Sequence, residues 1–365
     1  MIFVTGGTGF VGQEVIRELL DRGHRVRVLT RYPEREIRWK KQLGIEIVQG
    51  DVLKPETLRT AMAGTKAVIH LVGIIAETSH VSFEQAHTEA TRNVLSAAKE
   101  AGVTRYIQMS AAGTRAGARS RYHITKWEAE ELVRQSGLDW TIFRPSLIYG
   151  YDEHDRLLNL LRKALSWPLD LIQLYTFPVL NGGSTLIQPV SVREVAHCFV
   201  RAISNEAAIS QTYELVGPAA FSWREMIAKV AHTLGNNILH EKPLLALFTR
   251  LILGLMVLLI PVAIIAGLMM GRMSLSWVVI FAGLWTLPFL AALRWRNLII
   301  YSVPSGLLFM VAGILEKIAP RYLQFGEQLK MAEEDNIGDP LPASHAFAYV
   351  PESFEQGVAR LLEHV

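Results

Sequence analysis

Apolar and polar positions along the first half of the chain follow two alternating rhythms. Short apolar runs at Ile2–Thr5, Arg25–Leu29, Glu46–Val48, Ala67–Leu71, Arg105–Met109 and Trp140–Arg144 read as strands. Between them, stretches near 10–22, 55–63, 84–102 and 122–136 carry apolar residues at helical spacing. Strands alternating with helices of this length predict βαβ units, hence a doubly wound parallel sheet covered on both faces. Such a sheet takes ligands beyond the carboxyl ends of its strands. Residues 1–150 therefore read as an α/β nucleotide-binding domain.

After residue 150 the rhythm loosens. Helices are expected near 155–165, 193–203 and 222–235, with a short strand at Thr212–Leu215. Residues 151–243 read as a small substrate-side subdomain that completes a cleft. Two uncharged stretches follow, 251–270 ("LILGLMVLLIPVAIIAGLMM") and 274–293, separated by "GRMS". Twenty helical residues span roughly 30 Å, the hydrocarbon thickness of a bilayer. This predicts an inserted transmembrane hairpin over 244–296. Lys242 and Arg250 precede it, Arg294 and Arg296 follow it, and its turn holds only Arg272. By the positive-inside rule both outer ends face the cytoplasm, so the expected location is the cytoplasmic (inner) membrane, with the lipid bilayer as a partner. The run at 298–315, broken by Pro304–Ser305–Gly306, reads as an amphipathic or interfacial segment. Residues 297–365 return to the body, ending in "PESFEQGVARLLEHV" with Phe354, Val358, Leu361 and Leu362 on one helical face.

Composition sharpens this picture. The chain has 365 residues, 50% hydrophobic and 19% charged. Its mean hydropathy is +0.23, and the excess is concentrated between about residues 244 and 316. The net charge of +3 is too small for a nucleic-acid footprint. One cysteine, Cys198, allows neither an intrachain disulfide nor a cysteine metal cage, and the 11 histidines show no ligand spacing. "MIFVTGG" lacks the basic and apolar regions of a leader and reads as a strand that begins at once.

The candidate chemistry sits at strand ends. "TGGTGFVG" places Gly6, Gly9 and Gly12 at three-residue spacing after a strand and before a helix. Glycines there permit a tight turn and let a pyrophosphate approach the helix N-terminus. Thr8, Phe10 and Val11 complete that loop. The second strand ends in Thr30 and Arg31 rather than the acidic residue an NAD ribose prefers. An arginine there pairs with a 2′-phosphate, favouring NADP(H) over NAD(H). Asp51 and Val52 follow the third strand, where an adenine would lie, and Leu71, Val72 and Gly73 follow the fourth. "YHITK" puts Tyr122 and Lys126 four residues apart on one helical face. A lysine ammonium can lower the tyrosine's pKa and hold a ribose hydroxyl, while the tyrosine passes a proton.

Together, "VTGGTGFVG", "VIHLVGII", "TRNVLSAAKEAGV", "YHITKWEAEEL", "GLDWTIFRPSLIYG" and "QPVSVREVA" resemble the extended or atypical branch of the short-chain dehydrogenase/reductase superfamily. Within it they resemble bacterial homologues of the nucleotide-binding accessory subunit of respiratory complex I. The resemblance covers residues 1 to about 235, and "LEKIAP" and "EDNI" look like that family's C-terminal part. It implies a Rossmann fold, Tyr122 and Lys126 as the catalytic pair, and Pro145 and Ser146 beside the nicotinamide. One position departs from the pattern. Where catalytic members carry a serine or threonine hydroxyl this chain has Ala112, and Ser110 falls too early. His87 stands where many extended members have an asparagine. Two functions follow: an NADP-dependent oxidoreductase or epimerase-like enzyme acting on a small apolar, quinone- or lipid-like substrate, or a non-catalytic, nucleotide-loaded accessory or assembly factor of a respiratory membrane complex.

Overall fold

Strands form where β-branched and aromatic residues cluster between turn residues, and here they assemble in the predicted order. The structure, a computed structural model, describes residues 1–36, 44–150, 174–233, 237–238, 297–306, 309–310, 313 and 326–363. The chain divides into two compact units, one of Met1–Asp155, Ser184–Ser222 and Pro304–Val365, the other of Arg156–Gly183 and Trp223–Val303.

The first unit is built on β1 (Ile2–Thr5), β2 (Val26–Thr30), β3 (Glu46–Gln49), β4 (Ala67–His70), β5 (Arg105–Met109), β6 (Asp139–Pro145) and β8 (Gln211–Leu215). All pair in parallel, in the order β8-β6-β5-β4-β1-β2-β3. The order reverses between β1 and β4, which opens a crevice at their carboxyl ends. Burial on both faces explains the nearly continuous apolar runs. Ile2 and Val4 face a core shared with Val15, Leu19, Phe199 and Phe347. Phe3, between them, faces the opposite core with Leu58, Met62, Val94 and Tyr106. The helices supplying these cores are α1 (Phe10–Asp21), α2 (Pro55–Met62), α3 (Ala90–Glu100), α4 (Arg121–Arg134) and α5 (Val192–Ala202). Ser191 and Glu194 start α5 with a reciprocal capping box. A six-residue π-helix, Glu84–Glu89, leads into α3.

The second unit holds a parallel three-stranded sheet of β9 (Asn237–Ile238), β10 (Asn297–Val303) and β7 (Leu174–Leu180), together with α6 (Trp223–Thr233). The start of the apolar run at 298–315 is thus a strand and not an interfacial helix. Leu298, Ile299, Ile300, Tyr301 and Val303 are the residues that suit a pleated surface, and Pro304 ends it.

The membrane expectation is corrected. Among the described residues no helix is long and apolar enough to cross a membrane. The helical run through Glu84–Glu100 carries Glu84, Glu89, Arg92, Lys99 and Glu100, and α4 has 14 residues, about 21 Å at 1.5 Å per residue. Among the described residues the fold is the doubly wound parallel sheet with no transmembrane hairpin, and they give no support to the inner-membrane location inferred from it. The stretches 251–270 and 274–293 that prompted it lie outside the described residues.

The C-terminal segment belongs to the first unit and contributes α7 (Gly326–Glu333), α8 (Leu341–Phe347) and α9 (Phe354–Glu363). Between α7 and α8 the chain runs extended, and Asn336 makes a parallel bridge to Ile187.

Candidate functional site

The glycine turn is a packing necessity before it is a binding site. Gly6 takes a φ of +73°, in the left-handed region, and a Cβ there would lie 3.0 Å from the Val72 backbone nitrogen. The loops after β1 and β4 therefore abut. A Cβ on Gly12 would come within 2.3 Å of the Gly6 carbonyl oxygen. Gly9 is the N-cap of α1 but supplies no side-chain cap, and no acidic residue occupies the first turn. The N–H groups of Phe10, Val11 and Gly12 open the positive end of the helix dipole toward the crevice, an arrangement suited to a phosphate.

At the next strand end, Lys126 projects from α4 and is 3% exposed. Its Nζ donates to the Met109 carbonyl at 3.2 Å. A Cβ on Gly73 would sit 2.9 Å from that Nζ, so the residue after β4 must be small for the ammonium to lie there. Burial lowers the lysine pKa to about 8, with Glu130 opposing the shift. Glu130 itself is engaged by Arg134 and Arg144, each at 2.6 Å.

Tyr122, one turn earlier, is half-buried. Its ring meets Phe83, His87 and His123 edge-on, with centroids 5.8, 5.3 and 5.1 Å away. Burial raises its pKa to about 12. The lowering expected from Lys126 is absent, and the ammonium donates to the Met109 carbonyl. A tyrosine in this state holds its proton at neutral pH.

His87 is a site residue whose role spacing alone could not show. The π-helix turns it inward, where Nδ1 lies 2.9 Å from Thr125 Oγ1 and Nε2 lies 3.2 Å from the Ile74 nitrogen. The Thr125 hydroxyl already donates to the Arg121 carbonyl. The Nδ1–H tautomer therefore fits best: it donates to Thr125 and leaves Nε2 to accept from Ile74. Burial, and then the Lys126 charge, hold the His87 pKa down to about 2. The imidazole is a neutral brace between the loop after β4 and the tyrosine helix. His70, fully buried at the end of β4, bonds Thr5 Oγ1 through Nδ1 at 2.6 Å.

The third wall contains Ala112, which is 0% exposed and donates its N–H to the Pro145 carbonyl at 2.9 Å. The carbonyl of Ala112 takes a hydrogen bond from His123. Ser110 is buried with its hydroxyl 3.4 Å from Thr114 Oγ1. Ser146 Oγ donates to the Asn336 carbonyl at 2.8 Å. The structure thus gathers the glycine loop, Leu71–Gly73, Lys126, Ser110, Pro145 and Ser146 along one edge of the sheet. Arg31 and Asp51 stand apart from these contacts. Arg31 is exposed, its guanidinium 5.7 Å from the Tyr32 ring centroid, while Asp51 caps its own turn by accepting from Leu53 N at 3.0 Å. Val52 lends its carbonyl to Asn93 at 3.0 Å. Among the described residues no cluster of His, Cys, Asp and Glu could hold a metal ion.

The parallel sheet with its switch point, and a glycine turn opening an uncapped helix end beside it, define a class: dinucleotide-binding proteins of the Rossmann type. Residues 6–163 match the family described as NAD(P)H-binding, and the sheet they build is of the Rossmann, NAD(P)-binding kind. It is 33% identical over 229 residues to "NADH dehydrogenase [ubiquinone] 1 alpha subcomplex subunit 9, mitochondrial" of Arabidopsis thaliana, over 61% of this chain and 55% of that one. It is 28% identical to the "Photosystem II assembly factor Ycf39" of a Synechocystis strain, over 65% of this chain and 68% of the relative. The chain thus spans little more than half the length of the complex I subunit. An Escherichia coli NADPH-dependent quinone oxidoreductase solved with NADPH shares the fold, with a TM-score of 0.65, 17% identity, and 99% and 100% of the two chains covered.

Proposed function

We propose that the chain is an NADPH-dependent reductase of a small apolar carbonyl compound, a quinone or ketone. The observation that carries this reading is Lys126. A buried ammonium with no carboxylate of its own is costly to keep. It uses one of its three donors on Met109, which leaves two for the hydroxyls of a ribose. The N–H groups opening α1 suit the pyrophosphate, and Arg31 at the end of β2 favours the 2′-phosphate of NADP(H). When bound, NADPH supplies a hydride to the carbonyl carbon. Tyr122 delivers the proton to the carbonyl oxygen, and its raised pKa keeps it protonated at neutral pH until the developing negative charge on that oxygen draws the proton.

A second reading has its own support. The buried methyl of Ala112 offers no hydroxyl to a substrate carbonyl, and the loss of one such donor costs on the order of 10²-fold in rate. That fits a nucleotide-loaded accessory or assembly factor, and the relatives' names give a subunit of NADH dehydrogenase and an assembly factor of photosystem II. Purified full-length protein decides between them. NADPH that binds and is oxidised on adding a short-chain quinone, with the oxidation lost in Tyr122→Phe, supports the reductase. NADPH that binds tightly and is never oxidised supports the accessory role. Absence of binding defeats both.

A further inference from the structure

The strand-end hydroxyl is missing at Ala112, so beside Tyr122 the substrate oxygen lacks the second donor that such a hydroxyl would supply. Helix α7 and the extended segment after it contact the residues just before Tyr122 and the Gly113 turn. Glu327 accepts from the backbone N–H of Arg121 at 2.7 Å, and Glu334 from that of Arg119 at 3.3 Å. Glu334 also pairs with Arg115 at 2.8 Å. A Cβ on Gly113 would lie 3.8 Å from the Asp335 carbonyl oxygen. Asn336 comes next, and its backbone is fixed on three sides. Its N–H donates to the Leu186 carbonyl at 2.8 Å, and its carbonyl accepts from Gln188 N at 3.1 Å and from Ser146 Oγ at 2.8 Å. Ser146 stands one residue past Pro145, whose carbonyl holds Ala112. The Asn336 side chain thus starts from a fixed point between the Ala112–Gly113 turn and Ser146.

That side chain is not satisfied. Asn336 Oδ1 is buried and has no hydrogen-bond partner among the described residues. A buried amide left unpaired costs stability, and such groups in native folds call for an explanation. The two ends of an amide have the same shape, so a half-turn about its last bond exchanges acceptor for donor.

Resting on the reductase reading above, we infer that the Asn336 carboxamide binds the carbonyl oxygen of the substrate and supplies the N–H donor that Ala112 does not. An N–H of a fixed amide aimed at the oxygen stabilises the negative charge that grows there as hydride arrives. The contact also makes carbonyl recognition depend on the C-terminal segment, far from the site in sequence.

The test uses the full chain, NADPH and a short-chain ubiquinone analogue. Asn336→Ala should lower kcat on the order of 10²-fold while the NADPH dissociation constant stays within about twofold. Adding Ala112→Ser to that variant should recover at least about a tenfold part of the loss, because the hydroxyl returns by the other route. Difference infrared spectra of the quinone on NADP⁺-loaded protein give a readout free of turnover. The carbonyl band should lie at lower frequency in the wild type and return toward its free position in Asn336→Ala. Unchanged kcat with an unchanged band overturns the inference. If the wild type binds NADPH but never oxidises it, the reductase reading fails, and the band alone decides whether Asn336 holds the carbonyl. A quinone that does not bind defeats both.

Discussion

At the scale of single residues, the site is governed by what burial does to charge. Lys126 is kept at a cost, because a buried ammonium has lost its hydration. Replacing it with methionine, of similar length and no charge, should raise stability at pH 7 by about 1–3 kcal/mol in the unliganded protein while abolishing NADPH binding. Chemical denaturation and NADPH fluorescence titration measure the two effects, and a variant that loses both stability and binding would contradict this account. The pH dependence follows. The lysine pKa falls to about 8 in the fold, so the ammonium is lost from the native site as pH rises through that value. NADPH affinity should decline above pH 8, and that decline should vanish in the methionine variant. His87 gives a second test. Its ring braces Tyr122 and Ile74 while neutral, so His87→Ala should lower kcat by about tenfold, with His87→Asn recovering part of it through the Ile74 and Thr125 contacts. Equal loss in both variants would show that the ring itself, and not its hydrogen bonds, is required.

Elements carry the geometry that these residues need. The turn between β1 and α1 is legible in the sequence because only glycine fits its close approaches. Gly12→Ala would drive a methyl into the Gly6 carbonyl and the Gly7 backbone, atoms that cannot move without unwinding the turn. We expect a loss of about 1–3 kcal/mol together with weaker cofactor binding, seen in the denaturation midpoint and in NADPH titration. The strands at Ile2–Thr5 and Arg105–Met109 have the bounds the sequence predicts, because a strand buried on both faces leaves an unbroken apolar run. The π-helix at Glu84–Glu89 was not legible. One extra residue in a helical turn leaves the spacing of apolar positions almost unchanged, yet it decides where His87 points.

Across the whole molecule, the C-terminal segment ties back onto the first unit, and a carboxyl at that junction titrates near neutrality. Glu194 accepts from Ser191 N and from Glu352 N, and Tyr149, Tyr349, Cys198 and Arg360 surround it. Burial raises its pKa to about 7 from 4.5. The unfolded chain releases this proton first, so its contribution to stability is full below about pH 4.5 and is lost as pH rises through about 7. Glu194→Gln should flatten the fall in melting temperature between pH 5 and pH 8, and an unchanged slope would place the titration elsewhere.

The sequence by itself determined the parallel sheet, the glycine turn and the Tyr122–Lys126 pair, because each depends on residues close together in the chain. Periodicity, turn chemistry and helical spacing are local properties. Hydropathy did not show that the run after residue 297 opens as a strand, since apolar residues serve a strand as well as a helix, and length and partners choose between them. Tertiary structure alone decided the rest: the tyrosine and lysine share a helix without the ammonium lowering the tyrosine's pKa, His87 is a brace, and Asn336 reaches Ser146 from 190 residues further along the chain. Those outcomes depend on which buried atoms meet across the fold, and spacing along the chain carries no record of it.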